Sequence, residues 1–166
     1  MEKITSFTID HIRLIPGVYV SRIDYVGEYP VTTFDLRMTS PNDEPVMNTA
    51  EMHAIEHLGA TFLRNHPTYG DKILYFGPMG CRTGFYFLTR DTLSGADAIR
   101  LVQETLQFVI GFTGEIPGGK RWEGGNYLAH DLEGAKQIAR EMLPVMQNWT
   151  AEQLPYPAEV LQPHAE

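Results

Sequence analysis

Two histidines and a glutamate lie close together in the segment His53-Ala-Ile-Glu56-His57. On a helix, positions i and i+4 share one face, so both imidazoles can reach a single metal ion. Glu56 would be near enough to act on a substrate oxygen. The alternative is an exposed polar face where these types fall by chance, but an apolar stripe on the other side of the segment favours the metal interpretation. A catalytic metal usually has three protein ligands, so a third residue is needed.

The second chemical candidate is Cys81, the single cysteine, in the segment P-M-G-C-R-T-G at residues 78–84. The neighbouring cation Arg82 favours the thiolate, which is the reactive form of the side chain as an acid–base group or as a ligand. The alternative is a buried structural thiol, because free cysteine packs like a small apolar residue. These residues alone leave both interpretations open.

Three further polar side chains are weaker candidates for binding. Ser6 and His11 lie near the N-terminus, next to the aromatic Phe7. Arg37 falls on the polar face of a predicted strand, where its guanidinium could clamp a carboxylate or a sugar oxygen. Taken singly, each is better explained by a structural role.

The hydrophobic pattern predicts the elements that position these residues. Alternation over 18–38 predicts two strands with a turn between Gly27 and Pro30. Apolar spacings of three and four predict a helix over 49–65, capped by Asn48 or Thr49. The remaining expected elements are strands at 72–76 and 83–89, a helix beginning at Ser94 or Asp97 and ending near 111–114, a glycine-rich loop over 115–126, a helix over 132–146 and an irregular proline-rich tail. This mixture predicts one α+β domain over residues 1–166.

Composition excludes several classes of function. A formal net charge of −8 over 166 residues argues against nucleic acid as a partner, because no basic stripe replaces phosphate counterions. No apolar run approaches the roughly 20 residues that span a bilayer, and the first residues lack the apolar core of a signal peptide. A single cysteine excludes an internal disulfide framework, so we expect a protein of the reducing cytoplasm.

Five segments in order resemble the LuxS family, the S-ribosylhomocysteine lyases. They are S-F-x-x-D-H at 6–11, F-D-L-R ending at Arg37, H-A-I-E-H at 53–57, G-P-M-G-C-R-T-G-F-Y at 77–86 and G-N-Y-L-A-H-D-L-E-G-A-K at 125–136. The ten-residue match around Cys81 is very specific, and the five segments extend from near the start of the chain into its third predicted helix.

The resemblance implies an α+β fold with an antiparallel sheet packed against helices, and a homodimer with two active sites at the subunit interface. The implied substrate is S-ribosylhomocysteine, whose carbonyl moves from C1 to C2 to C3 before the thioether is eliminated. The products would be homocysteine and 4,5-dihydroxypentane-2,3-dione, the precursor of autoinducer 2. A divalent metal would act as the Lewis acid, and the resemblance implies Fe(II) in preference to Zn(II).

The resemblance also implies roles for individual residues. His53 and His57 would bind the metal together with a downstream cysteine. Glu56 and Cys81 would move protons between carbons and oxygens. The positions implied to contact or orient substrate are Ser6, Phe7, His11 and Arg37.

The chain departs from the family pattern at Gly124, where the ligand cysteine is expected. Glycine has no side chain to offer. Glu123 or water could take the vacant ligand position, Cys81 could be drawn onto the metal, or the metal could be lost in a non-catalytic paralogue. The first is favoured, because the chain retains both histidines, Glu56 and Cys81.

A rival from another class is a peptidase of the H-x-x-E-H type, with Glu133 as a distant third ligand. Such enzymes have much larger domains, and that function does not explain the segment around Cys81.

Overall fold

Four strands form one antiparallel sheet in the order β1-β2-β4-β3 in the computed structural model, which describes residues 2–161. The strands are β1 (Gly17–Val26), β2 (Tyr29–Arg37), β3 (Ile73–Pro78) and β4 (Gly84–Arg90). A tight turn joins β1 to β2 at Gly27, whose φ of +64° is a left-handed conformation that glycine adopts without steric cost. Both predicted strand pairs are confirmed.

Three helices accompany the sheet: α1 (Thr49–Arg64), α2 (Gly95–Gly111) and α3 (Leu132–Gln147). Each begins at a side chain that accepts a hydrogen bond from the first turn, namely Asn48, Ser94 and Asp131. The predicted helices are therefore confirmed, with ends that differ by one or two residues. The α+β fold with an antiparallel sheet against helices is also confirmed.

The main core lies between the helices and one face of the sheet. Phe34 and Leu36 of β2 point into it, as do Ile55 and Leu58 of α1. Because α1 buries that apolar stripe, His53, Glu56 and His57 on its other side remain only half-buried. The packing of α1 thus determines which way its polar residues face.

The opposite face of the sheet, the polar face predicted for Arg37, is buried as well. The exposed fraction is 0% for Asp35 and 1% for Arg37. The chain's terminal segments cover this face through a second apolar cluster of Ile9, Leu14, Tyr19, Tyr156 and Val160. Alternation revealed two faces of β2, but it carried no information about what covers the second.

No helix within residues 2–161 is long and apolar enough to cross a membrane. The ends of the predicted domain, residue 1 and residues 162–166, lie outside the described residues.

Candidate active site

The helical spacing of His53 and His57 places their rings 4.5 Å apart, between centroids, on one face of α1. The Nδ1 atom of His53 lies 2.8 Å from the carbonyl oxygen of Ala129, and that of His57 lies 2.7 Å from the carbonyl oxygen of Pro117. A carbonyl oxygen only accepts, so each Nδ1 carries the hydrogen and donates it. This leaves the lone pair of each Nε2 free to bind a metal ion.

A third histidine, His130, completes the group. Its ring stacks on that of His53 at a centroid distance of 4.0 Å and lies 4.7 Å from that of His57. One ligand atom from each of the three histidines lies within 4.8 Å of the others. Burial, followed by the charges of His53 and His57, lowers the pKa of His130. The neutral imidazole that results is the form that binds metals.

Both ring nitrogens of His130 are buried, and neither has a hydrogen-bond partner among residues 2–161. An unsatisfied buried nitrogen costs about 1–3 kcal/mol, so native structures rarely leave one without a reason. A divalent cation would account for one of these two nitrogens, because it would accept one lone pair from each of the three rings. These residues therefore fit the metal that the sequence predicts.

Glu56 lies on α1 immediately before His57 and is half-buried. It is not one of the three residues whose ligand atoms converge. Its assignment as a proton carrier stays a prediction.

A second set of predicted residues meets in a cavity of about 740 Å³. Its lining includes Ser6, Phe7, His11, Arg37 and Cys81. The structure thus brings together five of the eight predicted site residues here. Two more, His53 and His57, meet at the histidine cluster, and Glu56 belongs to neither group. The three histidines and Glu56 lie outside the cavity lining.

Cys81 is exposed, so the alternative of a buried structural thiol is wrong. Its Sγ lies 3.1 Å from Oγ1 of Thr83 and 4.0 Å from Nη1 of Arg37. Nη1 also donates a 2.6 Å hydrogen bond to Oγ1 of Thr83. The thiol therefore has a hydroxyl group as hydrogen-bond partner and a guanidinium group nearby.

Arg37 is itself held by a buried ion pair. Its Nη2 and Nε donate to the two carboxylate oxygens of Asp35 at 2.7 and 3.2 Å. Burial acts to lower the pKa of Arg37, but Asp35 outweighs it and raises that pKa above the ordinary value. The predicted substrate clamp thus has two of its nitrogens on Asp35, and Nη1 faces Thr83 and Cys81.

Backbone hydrogen bonds fix the turn that carries Cys81. Arg82 has a φ of +63°, a left-handed conformation, and its carbonyl oxygen accepts from the N–H of Met47 at 3.0 Å. The carbonyl oxygen of Thr83 accepts from the N–H of Met38 at 2.9 Å. The turn is therefore attached both to the end of β2 and to the segment before α1.

Gly124 does lie beside the histidines, as the family pattern implies. A Cβ atom built on it would be 3.9 Å from Cε1 of His57, but only 2.5 Å from the carbonyl oxygen of Gly118. The other candidates for the third ligand are not among the residues whose ligand atoms converge: Glu123 is exposed, and Cys81 lines the separate cavity.

Known proteins resemble this chain over nearly its whole length. The family model described as S-Ribosylhomocysteinase (LuxS) matches residues 4–153. The chain belongs to the LuxS family. An S-ribosylhomocysteine lyase of Clostridium acetobutylicum is 53% identical over 157 residues, which are 95% of this chain and 99% of that protein. A protein of the same name from Phocaeicola vulgatus is 52% identical over 160 residues, 96% of this chain and 99% of its own length.

Membership of the LuxS family decides against the peptidase. Consistent with this, Glu133 is exposed, and its carboxylate accepts from Nζ of Lys136 at 3.1 Å rather than joining the histidines.

Sequence reasoning missed three residues of the site: His130, Thr83 and Asp35. His130 and Thr83 both lie inside segments that carry the resemblance, yet neither spacing nor periodicity gives them a role. The available signal for His130 was its position just before the N-cap of α3, where a loop meets a helix. Asp35 gave no signal beyond its alternation with Arg37.

Proposed function

We propose that this chain is an S-ribosylhomocysteine lyase, a carbon–sulfur lyase that releases homocysteine and 4,5-dihydroxypentane-2,3-dione. The observation that carries the proposal is the position of the exposed Cys81 thiol. It is hydrogen-bonded to Thr83, lies near the Arg37 guanidinium, and lines a cavity together with Ser6 and His11. A thiol in this position suits repeated proton transfer at carbon.

Cys81 and Glu56 are the proposed acid–base pair. Each carbonyl shift removes a proton from one carbon and adds one to its neighbour, with no net oxidation. The final elimination removes another proton and breaks the bond between carbon and the thioether sulfur. Thr83 and Arg37 would hold the sulfur of Cys81 in place for these transfers.

The cavity residues are the proposed substrate contacts. Ser6 and His11 offer polar groups for sugar hydroxyls, and Phe7, with 66% of its side chain exposed, offers an apolar surface. Arg37 would contribute through Nη1, because Asp35 occupies its other nitrogens.

His53, His57 and the adjoining cluster are the proposed holder of the divalent metal, Fe(II) in the native enzyme and Zn(II) as a substitute. Imidazole nitrogens suit both ions. When bound, the metal supplies Lewis-acid polarisation of the sugar carbonyl. The carbonyl oxygens of Ala129 and Pro117 fix the two rings in the tautomer that binds through Nε2.

A homodimer is part of the proposal. The reaction needs the metal, Glu56 and Cys81 around one sugar, yet within one chain the histidines lie outside the cavity that holds the thiol. A second copy that apposes its cavity to this chain's histidines would complete both sites. Large exposed side chains near each half support such an interface: Phe7 (66% exposed), Trp122 (81%) and Leu128 (78%).

The proposed setting is the cytoplasm, because an exposed catalytic thiol such as Cys81 needs a reducing environment to remain free.

The test is thiol release from S-ribosylhomocysteine by the purified full-length chain, loaded anaerobically with Fe(II). We expect stoichiometric homocysteine, together with loss of the reaction after chelation and in Cys81→Ala. Metal-loaded protein that releases no homocysteine would overturn the proposal and favour a non-catalytic binding protein. If Cys81→Ala released as much homocysteine as the parent, only the proposed role of the thiol would be overturned, and the lyase assignment would stand.

A further inference from the structure

We propose that His130 is the third metal ligand in this chain, so that the ion is held by three imidazole nitrogens and no sulfur. The inference rests on the metal dependence proposed above and deepens it, because it specifies the ligand that Gly124 cannot provide.

The backbone around position 124 leaves no room for a ligand side chain. The carbonyl oxygen of Gly118 lies 2.5 Å from where a Cβ on Gly124 would be. Gly118 itself has a φ of +73°, and a Cβ on it would lie 2.8 Å from Nδ1 of His57. Two glycines thus allow the loop to pack directly against the His57 ring, in space that a cysteine side chain would otherwise need.

His130 is held at the cluster from both sides. The residue before it, Ala129, accepts the hydrogen bond from His53, and the N–H of the residue after it, Asp131, donates to Ala50 of α1 at 3.0 Å. Asp131 is also the N-cap of α3. A helix start and a histidine–carbonyl bond therefore fix the backbone on either side of the ring.

The ring nitrogens of His130 have no other use among the described residues. His53 and His57 each use the Nδ1–H group to donate a hydrogen bond to a carbonyl oxygen, which leaves Nε2 for the ion. In contrast, both ring nitrogens of His130 are buried without a hydrogen-bond partner. Binding an ion through one of them removes part of the cost of burying these two nitrogens without partners.

The ligand change alters the electrostatics of the ion. A thiolate would cancel one unit of the dipositive charge, but three neutral imidazoles cancel none. The ion therefore stays more electrophilic towards a carbonyl oxygen, and the site loses the preference of soft thiolate ligands for Zn(II). It also loses the ligand most open to oxidation, because no sulfur is bound.

The experiment loads the metal-free, full-length chain with Co(II) and records stoichiometry, affinity and the electronic absorption spectrum. We expect one Co(II) per chain and no sulfur-to-cobalt charge-transfer absorption, with the same spectrum in Cys81→Ala. His130→Ala should weaken Co(II) binding at least about 100-fold, the upper end of what is lost when only a ligand's supporting partner is removed. His66→Ala is the matched control, since His66 pairs with Glu104 outside the cluster.

A second variant keeps the test decisive if His130→Ala folds poorly. His130→Cys should bind Co(II) and acquire the sulfur-to-cobalt absorption that the parent lacks. A sulfur absorption in the parent that disappears in Cys81→Ala would overturn the inference, as would parental affinity in His130→Ala. Failure of the lyase assay with this cobalt pattern intact would refute the proposed reaction and leave the ligand assignment standing.

Discussion

The hydroxyl group of Tyr156 donates a 2.7 Å hydrogen bond to the carboxylate of Asp35, across 121 positions of sequence. This bond ties the C-terminal segment to the ion pair that holds Arg37 beside the thiol cavity. The segment predicted only as an irregular tail therefore helps to hold Arg37 beside Cys81, the proposed acid–base residue.

Tyr156→Phe should destabilise the fold by about 1.5–3 kcal/mol at neutral pH, because a buried charged group loses a hydrogen bond. Burial, and then the Asp35 charge, raises the pKa of Tyr156 above its ordinary 10.0. The folded state therefore keeps a proton that the unfolded state releases, and stability is lost as pH rises above about 10. Urea titrations from pH 8 to 11 should show that the free energy of unfolding falls less steeply with rising pH in the variant than in the parent. An unchanged slope would contradict this account.

Asp35→Asn should cost about 3–5 kcal/mol of folding stability, because it leaves the Arg37 guanidinium buried without a counter-charge. The matched control is Asp24→Asn. Asp24 also pairs with an arginine two positions away, Arg22 at 2.6 Å, but both side chains are about half exposed. That change should cost less than about 1 kcal/mol. Urea unfolding of the two variants measures the difference, and equal costs would show that burial of the pair does not matter.

Thr83→Val should lower kcat/KM roughly ten- to hundredfold, because Cys81 loses its hydroxyl partner and Arg37 loses its bridge to the thiol. The rate at which iodoacetamide alkylates Cys81 at one fixed pH should change, because Sγ loses that hydrogen-bond partner. Thr89→Val is the control, because Thr89 of β4 is also buried but its hydroxyl donates to the carbonyl oxygen of Asp91 instead of contacting Cys81 or Arg37. An unchanged alkylation rate would reduce Thr83 to a packing role.

Gly118→Ala should weaken metal binding, because its Cβ would press on the imidazole of His57 at 2.8 Å. Gly114→Ala is a close control. Its φ of +104° carries similar backbone strain, but a Cβ there would meet nothing within 4 Å. Both should lose about 1 kcal/mol or more of stability, and calorimetric titration with Zn(II) should show weakened affinity only for Gly118→Ala. If Gly114→Ala lost as much Zn(II) affinity as Gly118→Ala, backbone strain and not contact with His57 would explain the effect.

Periodicity predicted nearly all of the local structure, because the positions of Ile55 and Leu58 fix which face of α1 is buried and so which face carries His53 and His57. The group that meets at the cavity could be named only through the resemblance, since Ser6 and Cys81 are far apart in sequence. Neither periodicity nor spacing predicts the roles of His130 and Asp35. The role of His130 depends on how its loop packs against α1, and that of Asp35 depends on what covers the second face of the sheet.

Cys81 is the only thiol in the 166-residue chain, and it is exposed in the cavity. A maleimide fluorophore would consequently label one defined site without any engineering. Protection of that site by a bound ligand would report occupancy directly, so libraries of sugar thioethers could be ranked by labelling rate alone.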